Sequence, residues 1–238
     1  TMLEGIKPLL EDITGGKSLM AILSNYAVKS LVTSTCEIDP SLFSNDKAQA
    51  FNIAKKIEMA SKFSKMDIFR ATTHNKGIFN GIDAVVIATG NDWRAIEAGG
   101  HAYATKDGKY SGLTEWTFDE EKYILKGKLT LPMPVASVGG SIGLNPTVKA
   151  AFNILNNPDA KTLAGIIVSV GLAQNFAALK ALVSTGIQKG HMKLQARSLA
   201  LFAGAENEEV DIVVEKLLET NHINSENAKN ILKEIRNK

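Results

Sequence analysis

The chain has 238 residues, of which 45% are hydrophobic, and its formal net charge is +2. This composition excludes a disordered chain and supplies enough apolar residues for one large domain or two modest ones. Acidic and basic residues are mixed along the chain, which argues against a nucleic-acid-binding surface or an anionic membrane as a partner. The single cysteine, Cys36, excludes an internal disulfide and a cysteine-based metal site, and fits a reducing, cytoplasmic setting.

The first part of the chain predicts a helix, one or two strands and a second helix. The apolar spacing of "TMLEGIKPLLEDITGG" is helical and ends at a glycine pair. Alternating and β-branched residues in "KSLMAILSNYAVKSLVTSTCEI" predict one or two strands around Asn25. The stretch "NDKAQAFNIAKKIEMASKFSK" predicts an amphipathic helix that is capped between residues 44 and 46.

The middle of the chain mixes polar, glycine-rich and apolar stretches. Residues 70–81, "RATTHNKGIFNG", predict a loop followed by the start of a helix. The next run, "GIDAVVIATGN", fits either a buried helix or a strand. A β-meander is predicted for "GKYSGLTEWTFDEEKYILKGKLTLPMPV". After a glycine-rich loop, "ASVGGSIGLNPT", we expect a helix with Asn145 as its N-cap and Pro146 at its first position.

The stretch at residues 161–186, "KTLAGIIVSVGLAQNFAALKALVSTG", is apolar on every face of a helix and long enough to span a membrane. Three polar residues interrupt it, which are Gln174, Asn175 and Lys180. We therefore favour the central core helix of a soluble protein over a membrane anchor. The remaining, more charged part predicts three short helices, divided at Gly204 and around Asn221.

The chemistry-bearing residues of "RATTHNKGIFNG" surround Lys76. The two glycines of this stretch permit close approach of a ligand, and Arg70 can hold a carboxylate with two parallel hydrogen bonds. The side chains of Asn75 and Asn80 offer amides that could orient a substrate. A lysine in such surroundings can stabilise an oxyanion, although a solvated surface lysine is the simpler interpretation.

Two further residues have a structural and a catalytic interpretation. Asp92 is either a helix cap or a carboxylate that pairs with a catalytic cation. His191 is either a solvated histidine or, in its glycine-containing loop, a proton donor that swings over a site. His74 and His101 lack the spacing of metal ligands, so no metal site is expected. The glycine-rich loop lacks the lysine of a phosphate-binding loop, and close backbone packing is the favoured interpretation there.

Four of these stretches together resemble the class II, bacterial form of 3-hydroxy-3-methylglutaryl-coenzyme A reductase. They are "ILSNYA", "RATTHNKGIFNGIDAVVIATGNDWRAIEAGGHAYA", "TLPMPVASVGGSIGLNP" and "VGLAQNFAALKALVSTGIQKGHMKLQARSLA". The motifs are long and colinear, and the chain is similar to roughly the C-terminal half of such an enzyme. It begins with Thr1 before Met2, inside a helical pattern and without a visible signal peptide, so we expect a fragment or a cleaved product.

The resemblance implies an α/β (α+β) fold with three parts. Residues 1–27 would be the tail of an inserted, small ferredoxin-like cofactor domain. Residues 28–184 would form the large substrate-binding and catalytic domain around a long buried central helix. Residues 185–238 would form a mobile C-terminal flap of three helices that carries His191. Members of the family are tight homodimers with active sites at the subunit interface.

The resemblance also implies a role for each candidate residue. Lys76 would stabilise the oxyanion of the hemithioacetal and then polarise the aldehyde. Asp92 would hydrogen-bond Lys76 and tune proton transfer. His191 would protonate the departing coenzyme A thiolate. The implied substrate-binding residues are Arg70 for the substrate carboxylate, Asn80 and Asn25 for the hydroxymethylglutaryl part, and Gln174 in the same pocket.

The implied reaction is the two-step reduction of hydroxymethylglutaryl-CoA to mevalonate and coenzyme A, with NADH or NADPH as cofactor. The family's catalytic glutamate and most of its cofactor-binding domain have no counterpart in this sequence, so we expect the chain alone to be inactive unless another chain supplies them. The alternatives are another NAD(P)H-dependent acyl-CoA or carbonyl reductase on the same scaffold, and a non-catalytic interaction fragment. Neither nucleic acid nor a membrane is expected as a partner.

Overall fold

The structure is a computed structural model that describes residues 2–140, 142–184, 186–220 and 222–236, and only the backbone of residues 187–191. It divides into two compact units, Thr1–Phe176 and Ala177–Lys238. The elements in chain order are α1 (Met2–Thr14), β1 (Leu31–Ile38), a 3-10 turn (Pro40–Leu42), α2 (Lys47–Met66), α3 (Ile68–Ala88), α4 (Trp93–Tyr103), β2 (Thr114–Asp119), β3 (Ile124–Pro132), α5 (Pro146–Ile154), α6 (Ala160–Val183), α7 (Ile187–Phe202), α8 (Asn207–Glu219) and α9 (Ser225–Arg236).

The first unit contains a small antiparallel sheet in the order β1-β3-β2. The predicted β-meander is confirmed as the β2–β3 hairpin, and β1 pairs with the other edge of β3. Side chains alternate across the strands, and Trp116, Leu125 and Leu129 are buried on the face that is turned to the core. The Trp116 ring lies 5.3 Å from the Phe176 ring of α6. One face of the sheet therefore packs on helices and the other remains polar.

Only one of the predicted strands before α2 is observed. It begins at Leu31, and the segment around Asn25 has no regular secondary structure. A strand requires a hydrogen-bonded neighbour, and β3, which is the only partner of β1 among the described residues, ends opposite Leu31 at Pro132. The segment that precedes β1 therefore has no ladder to extend, despite its β-branched residues.

The helices α2, α3 and α4 follow one another with very short connections. Asp67 closes α2 through its backbone and caps α3 through its side chain, which accepts a hydrogen bond from the Arg70 amide at 2.6 Å. The predicted cap of α2 is confirmed at Asp46. The helices α3 and α4 pack antiparallel, with the rings of Phe79 and His101 4.8 Å apart.

The long apolar helix is observed as α6, but it is not buried on all sides. In its most apolar stretch of 18 residues, 33% are buried. In the part of α6 that belongs to the first unit, Leu163, Ile167 and Asn175 are buried, while Ala173 and Gln174 are exposed. The expected buried central helix is therefore only partly buried in this chain, because an apolar sequence does not indicate which faces its neighbours cover. Among the described residues, α6 is the one helix long and apolar enough to cross a bilayer by length and composition.

The second unit contains α7, α8 and α9, which confirms the three predicted helices. Their shared core consists of small and β-branched side chains together with leucines, which are Ala196, Ala200, Val210, Val213, Val214, Leu217, Ala228, Ile231 and Leu232. Gly204 has a φ of 93°, a left-handed conformation that ends the turn after α7. Arg236 pairs with both carboxylate oxygens of Glu209 at 2.8 Å and lowers the pKa of Glu209 to about 2.

Candidate functional site

Residues 70–81 lie within the continuous helix α3, so the prediction of a loop was wrong. The glycines suggested a loop, because glycine disfavours a helix interior by about 1 kcal/mol relative to alanine. Gly81 is explained by packing, since a Cβ there would lie 2.9 Å from the Cβ of Gln174 on α6. The polar residues of this stretch are therefore distributed around a helix and face different neighbours.

Lys76 and Asn80 lie one turn apart on the exposed face of α3. Their spacing of four residues directs both side chains to the same side of the helix, where a ligand could contact both. The face opposite to them carries His74, Ile78 and Ile82, which are fully or almost fully buried. In this chain the ammonium group of Lys76 is therefore available to a partner from outside the unit's core.

Arg70 lies near the start of α3 and is partly buried. Burial lowers the pKa of its guanidinium from the ordinary value, although an arginine stays charged at neutral pH. No carboxylate within the described part of the chain forms an ion pair with this guanidinium. A partly desolvated cation without a counter-ion is suited to bind a carboxylate ligand.

Asn75 does not offer its amide to a ligand, contrary to the prediction. It is fully buried, donates a hydrogen bond to the carbonyl of Ser111 at 3.0 Å and accepts one from the amide of Leu113 at 2.8 Å. Both hydrogen-bonding ends of its side chain are thus used to hold the segment before β2 against α3. Its role in this chain is structural.

Asp92 is the N-cap of α4, which agrees with its structural interpretation. Its carboxylate accepts hydrogen bonds from the amides of Arg94 at 3.1 Å and Ala95 at 3.4 Å, and it is exposed. The Arg94 side chain, at 3.3 Å, together with these amides lowers the pKa of Asp92. The cap does not exclude a second role, because one face of an exposed carboxylate remains open to a cation.

Within one chain Asp92 is distant from Lys76. Lys76 precedes the end of α3 at Ala88 by twelve residues, which corresponds to about 18 Å along the helix axis. Asp92 lies just beyond that end, at the start of the antiparallel helix α4. A direct hydrogen bond between the two side chains would therefore require that they come from two different subunits.

Asn25 and Gln174 contact different helices, Asn25 the helix α4 and Gln174 the helix α3. The carbonyl oxygen of Asn25 would be 2.6 Å from a Cβ at Gly99, so the segment before β1 packs directly on α4. Gln174 lies on α6 beside Gly81, next to Asn80 in sequence. Both residues are exposed, and Gln174 shares with Asn80 the junction of α3 and α6.

His191 lies in α7 of the second unit, at a position where only the backbone is described. The predicted proton donor therefore lies outside the described side chains, and its role stays a prediction.

The clefts described on the surface of the chain are not lined by the predicted site residues. One of them, of about 580 Å³, lies on the polar face of the sheet and is lined by Thr33, Lys65, Lys128 and their neighbours. None of the predicted site residues lines it.

Two polar clusters were not predicted from the sequence. One is a buried junction of His74 with residues of β2 and α6. The other joins Asp83 of α3 to Glu97 of α4, and burial together with the Glu97 charge raises the pKa of Asp83 to about 6. If residues 70–81 had been predicted as a helix, the spacing of four residues between His74, Ile78 and Ile82 would have placed His74 on the apolar, buried face.

This mixed, helix-dominated fold with its small antiparallel sheet has relatives of known class. The sequence profile of the hydroxymethylglutaryl-coenzyme A reductase family matches residues 1–196. The chain therefore belongs to the hydroxymethylglutaryl-coenzyme A reductase family.

Particular relatives can be named. The 3-hydroxy-3-methylglutaryl-coenzyme A reductase of Archaeoglobus fulgidus is 44% identical over 236 residues, which are 99% of this chain and 52% of that protein. A probable enzyme of the same name from Borreliella burgdorferi is 38% identical over 185 residues, or 78% of this chain and 42% of that protein. The chain thus spans about half the length of the curated relatives it matches.

Solved structures agree with this assignment. The structure of 3-hydroxy-3-methylglutaryl-coenzyme A reductase from Streptococcus pneumoniae is 60% identical, with a TM-score of 0.76, and the match covers 99% of this chain and 56% of that one. The class II enzyme of the same organism, bound to NADPH in open conformations, matches with the same identity and TM-score over 99% of this chain and 57% of that one. The expected resemblance to the class II family is confirmed.

Proposed function

We propose that the whole protein reduces hydroxymethylglutaryl-CoA to mevalonate and coenzyme A in two hydride steps, and that this chain supplies most of the substrate-binding and catalytic residues. The observation that carries the proposal is the family match over residues 1–196, with 60% identity to the S. pneumoniae enzyme. The proposed location is the cytoplasm.

The hydride donor in this proposal is NADH or NADPH, and one relative has been solved with NADPH. When bound, the nicotinamide supplies the two electron pairs that convert a thioester to an alcohol. We assign no residue of this chain to that cofactor, because the candidate residues identified above are all suited to the substrate and none forms a described cleft for a dinucleotide. Its binding determinants are expected in the part of the relatives that this chain does not cover.

The residues of α3 account for binding and charge stabilisation. Arg70 binds the free carboxylate of the hydroxymethylglutaryl group with its unpaired guanidinium. Lys76 donates a hydrogen bond to the carbonyl oxygen, whose negative charge grows as the thioester and then the aldehyde are reduced. Asn80, one turn further on the same face, orients the substrate beside Lys76, and Gln174 and Asn25 complete the contacts.

Two further residues, Asp92 and His191, control the protonation of the reacting groups. Asp92 accepts a hydrogen bond from Lys76 and keeps that lysine protonated and oriented. His191 donates a proton to the coenzyme A thiolate when the hemithioacetal collapses, so that the thiolate does not add back to the aldehyde. Its pKa range suits a group that must be charged for this step and reload afterwards.

The proposed functional unit is a homodimer with active sites between subunits. This part of the proposal is supported by the length of about 18 Å of α3 between Lys76 and the helix end at Ala88, beyond which Asp92 lies in the same chain. A second subunit with its Asp92 near Lys76 would complete the pair. The exposure of Lys76 and Asp92 in this chain is consistent with such an arrangement.

The test is an assay of the whole protein for oxidation of NADH and of NADPH with hydroxymethylglutaryl-CoA, with mevalonate identified as the product. Turnover that consumes two cofactor molecules per mevalonate is expected. Reduction of other acyl-CoA thioesters without reduction of hydroxymethylglutaryl-CoA would contradict the proposal and favour a different reductase on this scaffold.

A further inference from the structure

A buried polar junction links α3, α6 and β2 behind the proposed substrate-binding face. Oδ1 of Asn175 accepts hydrogen bonds from Nε1 of Trp116 and from the hydroxyl of Thr114, both at 2.9 Å. Nδ2 of Asn175 lies 3.2 Å from Nε2 of His74, and the Thr114 hydroxyl lies 2.5 Å from the same nitrogen. All four residues are at most 2% exposed. We call this set of four side chains the His74 junction.

The hydrogen bonds determine the tautomer of His74. The indole Nε1 of Trp116 can only donate, so the Asn175 atom that faces it is the oxygen. The hydroxyl of Thr114 donates its one proton to this oxygen, so its contact of 2.5 Å with Nε2 of His74 is a hydrogen bond in which Nε2 donates. The ring proton therefore lies on Nε2, and the unprotonated Nδ1 has no hydrogen-bond partner among the described residues. Burial, with the nearby charges of Arg70 and Lys65, lowers the pKa of His74 to about 3, so the ring is neutral.

Counted from the N-terminus of α3, the His74 junction is the first place where side chains of this helix hydrogen-bond to another element. Within the described chain, the hydroxyls of Thr72 and Thr73 bond only to carbonyls of their own helix, and Arg70 has no side-chain hydrogen bond. Arg70 precedes His74 by one turn on neighbouring positions of the helix surface. Further along α3, Gly81 fixes the distance to α6 but forms no directional bond.

We infer that the His74 junction positions Arg70 relative to α6 and thereby sets the affinity for the substrate's free carboxylate, in addition to stabilising the fold. His74 is a positioning residue in this inference, which rests on the proposed function. A neutral His74 attaches the first turns of α3 by donating a hydrogen bond to Thr114, without adding a second positive charge beside the guanidinium. A displacement of about 1 Å at a binding group can cost about 100-fold in rate, so a modest loosening is measurable.

The test compares His74→Leu, which removes the donor, with His74→Gln, whose side-chain amide can donate the same hydrogen bond to the hydroxyl of Thr114. We expect His74→Leu to raise the KM for hydroxymethylglutaryl-CoA about tenfold with a smaller change in kcat, and His74→Gln to restore most of that loss. The matched control is Ser61→Ala, which removes a buried hydrogen bond from the main-chain amide of Trp116 at 3.0 Å and leaves the four side chains of the His74 junction in place. Its KM should stay unchanged.

A double variant separates positioning from general loosening. If His74 acts through Arg70, His74→Leu should add little to the KM of Arg70→Ala, because the group that it positions is already lost. KM effects that multiply in the double variant would overturn the inference, and so would an unchanged KM in His74→Leu. If His74→Leu does not fold, Thr114→Val removes a hydroxyl from the same junction and is subject to the same comparison.

A measurement without turnover tests the junction itself. In the whole protein, ¹⁵N signals of the His74 ring, assigned by their loss in His74→Gln, should show protonated Nε2 and no titration between pH 5 and 8. A ring protonated on Nδ1, or one that titrates in that range, would overturn the inference. Absence of reductase activity in the wild-type protein would instead contradict the proposed function and leave this spectroscopic result unaffected.

Discussion

Asp83 of α3 hydrogen-bonds with Glu97 of α4, so that two acidic side chains join the antiparallel helices. One oxygen of Asp83 is buried without a hydrogen-bond partner among the described residues. Burial, followed by the negative charge of Glu97, raises the pKa of Asp83 from 3.8 to about 6. A proton shared between two carboxyl groups satisfies this contact, and its loss leaves two like charges side by side.

The first prediction concerns stability against pH. Between pH 3.8 and about 6 the folded state keeps a proton on Asp83 that the unfolded state has lost, so the contribution of Asp83 to stability falls as the pH rises through this window. Asp83→Asn removes the ionisation and can still donate to Glu97. We expect it to raise the Tm at pH 7.5 and to change it little at pH 4.

The control for this prediction is Asp107→Asn, a change of an exposed aspartate in the turn after α4. This variant should not raise the Tm at pH 7.5 relative to its effect at pH 4. Glu97→Gln removes the neighbouring charge and should also increase stability at pH 7.5 relative to pH 4. A Tm difference for Asp83→Asn that is the same at both pH values would contradict the raised pKa as its cause.

The second prediction concerns Lys76. Lys76→Ala should lower turnover of hydroxymethylglutaryl-CoA by about 10²–10³-fold or more, because it removes a charged donor to the developing oxyanion. The side chain is exposed in this chain, so the fold should be unaffected, as circular dichroism and Tm would show. The matched variant Lys62→Ala removes another exposed lysine, on α2, and should retain turnover. Wild-type turnover in Lys76→Ala would exclude the proposed role.

The third prediction concerns Arg70. The proposed contact of Arg70 with a remote carboxylate would exist in the ground state and the transition state alike, so Arg70→Ala should raise the KM about tenfold or more with a smaller effect on kcat. Arg70→Lys keeps the positive charge but cannot form two parallel hydrogen bonds to a carboxylate, so its KM should lie between those of the wild type and Arg70→Ala. Steady-state kinetics with hydroxymethylglutaryl-CoA measure both constants, and an unchanged KM in Arg70→Ala would speak against the assignment.

The fourth prediction separates the two roles of Asp92. Asparagine caps helices about as well as aspartate, so Asp92→Asn should retain the Tm while turnover falls by about 100-fold through loss of the charge. Asp92→Ala should lose the cap as well and lower the Tm by about 2–4 °C. The control is Asp46→Asn at the cap of α2. Full turnover in Asp92→Asn would show that the residue is only a cap.

The fifth prediction concerns His191. A proton is needed on the coenzyme A thiolate only when the hemithioacetal collapses, and free mevaldehyde has no thiolate to release. His191→Gln should therefore strongly lower reduction of hydroxymethylglutaryl-CoA and spare reduction of mevaldehyde, with folding and dimerisation unchanged. His222→Gln, at an exposed histidine between α8 and α9, is the control. Equal losses on both substrates would require that the thiolate role be abandoned.

The sequence by itself determined those features that depend on neighbouring residues. Asn145 caps α5 with Pro146 at its first position, as predicted, because a capping side chain and a fixed φ act within one turn. The break between α7 and α8 at Gly204 is local in the same sense, while the predicted break at Asn221 falls on a residue outside the described part of the chain. The long colinear motifs were enough to indicate the family, because each retains the order and spacing of its residues.

Only the tertiary structure decided which polar residues face the core and which are exposed. Gly81 indicates a loop by its own preference, yet it lies inside α3 because α6 approaches too closely for a Cβ at that position. His74 and Asn175 are separated by 101 positions and meet in a dry junction. Asp92 lies only 16 positions after Lys76 but at the far end of a helix. Burial and long-range contacts depend on how elements pack, and a stretch of sequence read alone carries no information about its neighbours in space.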